Sequence, residues 1–472
     1  MLFHKNELKE FNKKFNEPYG EISNTGKYNT ILSKNYCLGM NSQKTSRNNN
    51  VLVLGRVNPD HEKNFVEPNL LQANRSYVVI DSDELYEKYK DFFNKEGYTI
   101  KVFNLIDMEH SNYYNPFRYI KSDLDILHFV FGIMQSFREP KDLKSPEALL
   151  LLSICFLLIK HRNQEDQNIM SVRKILKEVE PENKNEKSTI DCIFDDIEKD
   201  NSESIALKYY KSFKLCSDEK RKHATLILDE ILESIEDITK TDNIELEKLG
   251  DEKQILFIKK PPADDTYNFI IAILIKQAMS ILMYHANECK NGYYITKVSE
   301  KKFMQTEEEA DNYIKVNPDW EKRKISYATL ANHCHFMLMD FTDLGKIPEF
   351  TKDMVVIRKY NISCSLFVSN IEQLEKIYGD THTFGITEAC NTILFLGSAN
   401  QKTNEWIAEK IKIKTKKHIH TGTIKEKHKY KVDMTPDELS KMDYQKCIIF
   451  IWGMDPIIDD KEWEKQLNVY KI

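Results

Sequence analysis

Short, unbroken apolar runs recur along this chain, each closed by a polar or turn residue: "VLVLG" (51–55), "YVVID" (77–81), "IKVFNLI" (100–106), "ILFIKK" (255–260), "HFMLMD" (335–340), "CSLFVSN" (364–370), "TILFLG" (392–397) and "KCIIFIWG" (446–453). Stretches with helical spacing separate most of them, as at 83–95, 267–286 and 402–412. A strand covered on both faces reads as a continuous apolar run, whereas a strand with one wet face alternates. The pattern therefore predicts an α/β fold with a largely parallel sheet between layers of helices. Between 121 and 250 the strand signal stops and successive helical segments replace it, among them "DLDILHFVFGIMQSF", "PEALLLLSICFLLIKH" and "RKHATLILDEILESIED". Ser145 before Pro146 and Glu147 reads as an N-cap with proline in the first turn. An all-helical domain is thus expected to interrupt the α/β domain. The expected division is an N-terminal extension (1–24), a first α/β part (25–120), the helical insertion (121–250) and a second α/β part (251–472), with the charged stretch 298–327 a surface excursion.

The chain has 472 residues, 41% hydrophobic and 30% charged, which places it among folded proteins able to bury a large core. A net charge of -6 does not suggest a nucleic-acid binder as a whole, so any such contact has to be local. Nine cysteines are scattered without a CxxC pair, as buried reduced thiols are. The longest apolar runs, 148–159 and 269–283, fall short of the roughly 20 residues that span a bilayer and read as buried helices.

The run "VLVLG" leads into a glycine as a strand does before a phosphate-binding turn. Such a turn aims backbone N–H groups inward at a helix N-terminus, and a lysine then reaches the terminal phosphates. Counted from Gly55, the GxxxxGK[ST] spacing puts Asp60, His61 and Glu62 where the second glycine, the lysine and the hydroxyl residue belong. Pro59 has no N–H to donate, and carboxylates at Asp60 and Glu62 repel a triphosphate. Lys63 is a poor replacement, because two residues along a helix are about 200° around its axis.

The second nucleotide element of such sheets is an apolar strand ending in Asp, for the magnesium shell, followed by Glu, which orients the attacking water. "HFMLMDFTDLGKIPEF" supplies Asp340, but Phe341 follows. Taken alone, Asp340 reads first as a strand-end or cap residue. His333 and His335 of "HCH" share a strand face yet lack further metal ligands, as do His418 and His420. In "PADDTYNF", Asp264 or Asp265 is expected to cap a helix. Arg358, just before a strand, reads at least as readily as a surface ion pair as it does as an arginine presented to a neighbour's nucleotide. The basic stretch 410–431, with Lys412, Lys414, Lys416, Lys417, Lys425 and Lys427, reads as a solvated loop or hairpin ahead of a nucleic-acid contact.

The ordered segments "MNSQKTSRNNNVLVLG", "FVEPNLLQANRSYVVID", "GYTIKVFNLIDMEHSNYYNPFRYI", "LFIKKPPADDTYNFI", "FMLMDFTDLGKIPEF", "IRKYNISCSLFVSNIEQLEKIYGD" and "CNTILFLGS" carry a further resemblance. Together they resemble the conjugal-transfer coupling proteins of type IV secretion systems, the TraG-type family of Gram-positive integrative elements. The resemblance implies a RecA-like P-loop NTPase fold carrying an inserted all-helical domain, and a hexameric ring at the cytoplasmic face of the membrane. It implies ATP hydrolysis that couples a relaxase-bound DNA strand to the secretion channel, with the helical domain contacting the DNA-processing complex. The departures gather where the chemistry belongs. Against a family loop like GGSGSGKTR, "GRVNPDHEK" keeps Gly55 and a basic residue at Lys63. A DPKG-like turn is "DSDE" at 81–84, and the DEFANIG-like stretch "DFTDLGK" keeps Asp340, Gly345, Ile347 and Pro348 but loses its Glu at Phe341. The polar sensor Gln falls on Ser369, and a second basic residue falls on Tyr360. The two membrane helices of typical members have no counterpart, so a cytoplasmic protein, at most peripheral at the inner face of the membrane, is expected.

Random decay strikes core and catalytic positions alike, yet the strands stay apolar and "YNPFRYI" and "DDTYNFI" are intact. The expectation is a coupling-protein homologue that is a pseudo-ATPase without cofactor. It would act by binding relaxase, DNA, secretion subunits or an intact coupling protein, in a homo- or hetero-hexamer. The alternative is an active DNA-translocating ATPase with an atypical phosphate loop, using ATP and Mg with Asp340 on the metal. A third is a nucleic-acid-binding module built on 410–431 and the helical domain.

Overall fold

The computed structural model describes residues 29–55, 61–81, 84–137, 139, 141–180, 186–261, 264–297, 300–325, 327–416 and 434–461. Its strands are β1 (Asn29–Ile31), β2 (Cys37–Gly39), β3 (Val51–Leu54), β4 (Ser76–Asp81), β5 (Thr99–Asn104), β6 (Gln254–Lys259), β7 (Tyr293–Lys297), β8 (Glu300–Met304), β9 (Glu321–Lys324), β10 (Cys334–Leu338), β11 (Ile362–Val368), β12 (Thr392–Phe395), β13 (Lys446–Ile451) and β14 (Ile457–Asp460). Each of the eight short apolar runs contributes a strand to one nine-stranded sheet, ordered β14-β13-β12-β3-β11-β10-β4-β6-β5. From β12 to β5 the neighbours are parallel; β13 and β14 join as antiparallel edge strands. The central strands β3, β4, β10 and β11 are buried throughout, which is why their sequences do not alternate.

Helices of eight residues or more are α1 (Leu85–Lys95), α2 (Asp123–Met134), α3 (Pro146–His161), α4 (Ile169–Lys177), α5 (Thr189–Asp200), α6 (Ile205–Lys214), α7 (Asp218–Glu233), α8 (Asn268–Glu288), α9 (Glu307–Val316), α10 (Ile371–Tyr378), α11 (Asp380–Glu388) and α12 (Gln401–Lys416). Ser145 caps α3 as its sequence predicts, its hydroxyl accepting from the Ala148 N–H at 3.2 Å. β5 and β6 are parallel neighbours, so the chain that leaves the sheet at Asn104 returns beside itself after the helices α2 to α7. α2 sits on α8: a Cβ added to Gly132 of α2 would lie 2.3 Å from Ile273 of α8, so only glycine permits this approach. Their buried side chains and those of the sheet form one continuous cluster. Among the described residues α8 alone has the length and hydropathy to cross a membrane, and 78% of its apolar window is buried inside the fold, as a core helix requires.

Three expectations need correction. The charged stretch 298–327 is no simple excursion: β7, β8 and β9 pair antiparallel into a three-stranded sheet with α9 against it. This lobe has its own apolar centre of Tyr293, Ile295, Ala310 and Trp320, formed because alternate residues of β7 face inward even though its partners are charged. Neither Asp264 nor Asp265 caps α8, which starts at Asn268 behind Tyr267. Asp264 instead closes a turn, accepting from the Thr266 N–H and hydroxyl, and Asp265 accepts from the Asn268 amide. The basic stretch is not loop from its start, because α12 continues to Lys416. The side chains of Lys412, Lys414 and Lys416, and all of Lys417, His418, His420, Lys425 and Lys427, lie outside the described residues.

Candidate nucleotide-type cleft at the carboxyl ends of the strands

In a parallel sheet, ligands sit outside the carboxyl ends of the strands where the order reverses. β3 is central here, with β11 on one side and β12 on the other. Its exit is pinned to both: the Gly55 N–H donates to Val368 O at 3.1 Å, and the Leu396 N–H donates to Leu54 O at 2.8 Å. A Cβ at Gly55 would lie 2.7 Å from the Gly397 carbonyl, and φ there is +149°, so the position admits glycine on both counts. Arg56 to Asp60, including the loop residues Pro59 and Asp60, lie outside the described residues.

The chain is described again at His61, where the loop lysine is expected. His61 is 2% exposed, and its ring centroid lies 5.7 Å from that of Phe367. The helix that follows opens in π form over Glu62–Val66, the Glu67 N–H reaching back five residues to Glu62 O. Pro68, which has no N–H to donate, then opens a single α turn, Glu67–Leu70. This short segment is held by Asn69, whose amide side chain pairs with both the N–H and the C=O of Ile31 in β1. Glu62 and Glu67 both face Lys88 of α1, Glu62 at 3.9 Å, while Lys63 is exposed.

A cavity of about 530 Å³ opens beside these elements. It is lined by Asp340, Thr342 and Asp343 after β10, by Phe367, Ser369, Asn370 and Gln373 from β11 and α10, and by Ser398, Ala399 and Asn400 after β12. Asp340 has left-handed backbone (φ +48°) and heads a short 3-10 turn, Phe341–Leu344, its carbonyl accepting from the Asp343 N–H at 2.8 Å. That turn sends Phe341 away from the cavity. Its ring stacks on Tyr378 at 5.6 Å and meets Phe350 at 4.9 Å, fully buried. Ser369 bonds the Gln373 side chain, and Asn370 caps α10 by accepting from the Gln373 N–H at 3.0 Å. The Asp343 carboxylate is 4.0 Å from the buried Lys260 ammonium.

The structure thus gathers Asp340 and Ser369 at one cavity, and keeps His61 and Phe341 out of its lining. Arg358 is elsewhere: it precedes β11, so it stands at the opposite edge of the sheet, exposed, with its guanidinium 3.4 Å from Ser42 O. Asp343, Asn370, Gln373, Ser398 and Asn400 are lining residues that the sequence did not single out. Chemically, the described lining offers carboxylates, hydroxyls and amides, and no Lys or Arg. Asp340 has the place and charge for a divalent cation, but the described lining does not fit a triphosphate, whose charge needs cations beside it.

The histidines of "HCH" form a polar ladder within the sheet. His333 bonds Asn361 at 2.9 Å and Ser363 at 2.6 Å, and His335 bonds Ser363 at 2.6 Å and Ser365 at 2.9 Å. Their ring nitrogens are spent on these bonds, so the pair is no metal site. Burial, with help from the nearby Arg75 guanidinium, lowers the His333 pKa to about 3 and holds His335 well below the usual histidine value.

A mostly parallel sheet with β11 between the strand that leads into the loop and the strand that ends in Asp340, and with a polar cleft at its carboxyl edge, is a RecA-like P-loop fold. The chain belongs to the type IV secretory system conjugative DNA transfer family, whose model matches residues 62–296 and 317–463. Among solved structures it is similar to the bacterial conjugative coupling protein TrwBdeltaN70, at 12% identity over 96% of this chain and 92% of that one, with a TM-score of 0.60. The plasmid coupling protein TrwB in complex with ADP and Mg2+ matches at 13% identity over 88% and 84%, TM-score 0.55. VirB4 of Thermoanaerobacter pseudethanolicus matches at 12% identity over 93% and 98%, TM-score 0.51. No curated protein matches by sequence.

Proposed function

We propose that this chain serves conjugative DNA transfer as a coupling-protein homologue that binds partners and does not turn over nucleotide. One observation carries the proposal: the two positions that should bring a cation to the phosphates and a carboxylate to the attacking water hold a buried His61 and a buried Phe341. Without the lysine and the carboxylate, each typically supporting several kcal/mol of transition-state stabilisation, turnover has no machinery in the described cleft. The helices between residues 121 and 250 are the proposed docking domain for a relaxase–DNA complex or secretion subunits, and an intact coupling protein is the proposed ring partner.

Calorimetry of the whole chain with ATP and magnesium tests this. No binding heat at millimolar nucleotide and no phosphate release are expected; micromolar affinity or measurable turnover would overturn it. Replacing residues 55–63 by a glycine-rich GK[ST] loop is expected to create nucleotide binding without hydrolysis, since Phe341 remains. The retained Asp340 and the roughly 530 Å³ cavity favour the second possibility, an active ATPase using ATP and Mg, and the same titration decides between them.

A further inference from the structure

Away from the cleft, Asp251, His285 and Cys289 converge at the foot of the β7–β9 lobe. His285 and Cys289 lie one turn apart at the C-terminal end of α8, so they share a face, and Asp251 ends the 3-10 turn Leu246–Gly250. His285 Nε2 is 2.8 Å from Asp251 Oδ1 and 3.6 Å from Cys289 Sγ, and the three ligand atoms all lie within 4.8 Å of one another. The arrangement differs from a nucleophile triad in one decisive respect. A general base that activates a thiol contacts the thiol through one ring nitrogen and its orienting carboxylate through the other. Here the same nitrogen faces both groups, so an oxygen, a nitrogen and a sulfur able to ligate a cation crowd one spot.

We propose that Asp251, His285 and Cys289 bind one zinc-like divalent cation, with the fourth position left to water. Tetrahedral zinc with Zn–S near 2.3 Å and Zn–N near 2.05 Å separates sulfur from nitrogen by about 3.5 Å, against the 3.6 Å present. The carboxylate must withdraw by about 0.6 Å to its own tetrahedral distance from the nitrogen. Asp251 is a third exposed and has that freedom, whereas Cys289 is 1% exposed among Tyr294, Ile325 and Ala331 and is already fixed. A thiolate and an imidazole select zinc or cobalt over magnesium and calcium, which take oxygen ligands. On coordination the thiol and the ring nitrogen release their protons to solvent. Such an ion would tie the C-terminal end of α8 to the turn into β6, beside the lobe whose residues 297–316 the family model leaves unmatched.

The test is cobalt titration of the metal-free full chain under reducing conditions. One equivalent is expected to give the ultraviolet thiolate-to-cobalt charge-transfer band with tetrahedral visible bands, both displaced by zinc. Cys289→Ala is expected to remove the charge-transfer band, and Asp251→Asn, at a partly exposed position that folding tolerates, to weaken affinity by at least about 10-fold. No charge-transfer band in the wild type, a band that survives Cys289→Ala, or an Asp251→Asn affinity equal to wild type would each overturn the assignment.

Discussion

At their N-terminal ends β10 and β11 face each other through His333, His335, Ser363 and Ser365, with each ring nitrogen engaged. At their C-terminal ends the same two strands release Asp340, Ser369 and Asn370 into an open cavity. Both ends are polar. The difference is that the first is buried between strands, its ring nitrogens bonded to partners one strand away, while the second, where Ser369 and Asn370 bond locally to Gln373, lines a cavity open to solvent. A buried polar ladder whose members all have partners stabilises and specifies; one missing member leaves its neighbours with the desolvation cost. Polarity at a sheet edge is therefore no sign of a site until its hydrogen bonds have been followed.

The comparison can be broken most forcefully at Phe341, where the cavity meets the core. Phe341→Glu should not restore a catalytic carboxylate; it should remove an aromatic from the stack with Tyr378 and Phe350 and bury a charge, at a cost on the order of 4 kcal/mol in urea unfolding. A stable variant would show that the turn after Asp340 can reopen. Next in size, Ser363→Ala strips both histidines of their shared hydroxyl, and a loss of about 2 kcal/mol is expected by the same measurement.

The pH dependence sharpens the contrast. Both histidines have folded pKa values below the unfolded value of about 6.5, so only the unfolded chain takes up their protons as pH falls. Their contribution is complete above about pH 6.5 and drains away toward pH 3, at up to about 1.4 kcal/mol per pH unit for each histidine. Denaturation midpoints between pH 7 and 4 should fall accordingly, and His335→Asn should flatten the slope. The smallest effect is expected at the cavity: Ser369→Ala, at a position already open to water, should change stability by no more than about 0.5 kcal/mol. A loss comparable to that of Ser363→Ala would erase the distinction between the two ends.

Much of the sheet was legible because a strand buried on both faces has no polar period to hide it. β14 was not: "IIDD" is a four-residue edge strand with Ile458 exposed, too short to register. β8 and β9 were not, since "EKKFM" and "EKRK" are mostly charged and show little apolar period, and the apolar centre beside them comes from β7, α9 and Trp320 in the turn before β9. Within the cleft, Asp340 was legible as the polar end of an apolar run. Asn370, Gln373, Ser398 and Asn400 were not, because loops of no distinctive composition meet there only once parallel register aligns the strand ends. The same holds for the ladder: a shared face for His333 and His335 follows from period two, but the pairing of His335 with Ser363 is a matter of register between β10 and β11.

The Phe341 stack also couples distant positions. Residue 341 is not an independent position, because Phe350 and Tyr378 pack on its ring and Tyr378 in turn receives the Ile347 N–H on its hydroxyl at 3.3 Å. A carboxylate at 341 would be buried against two aromatic rings, so it becomes tolerable only where Phe350 or Tyr378 also changes and lets water or a cation reach it.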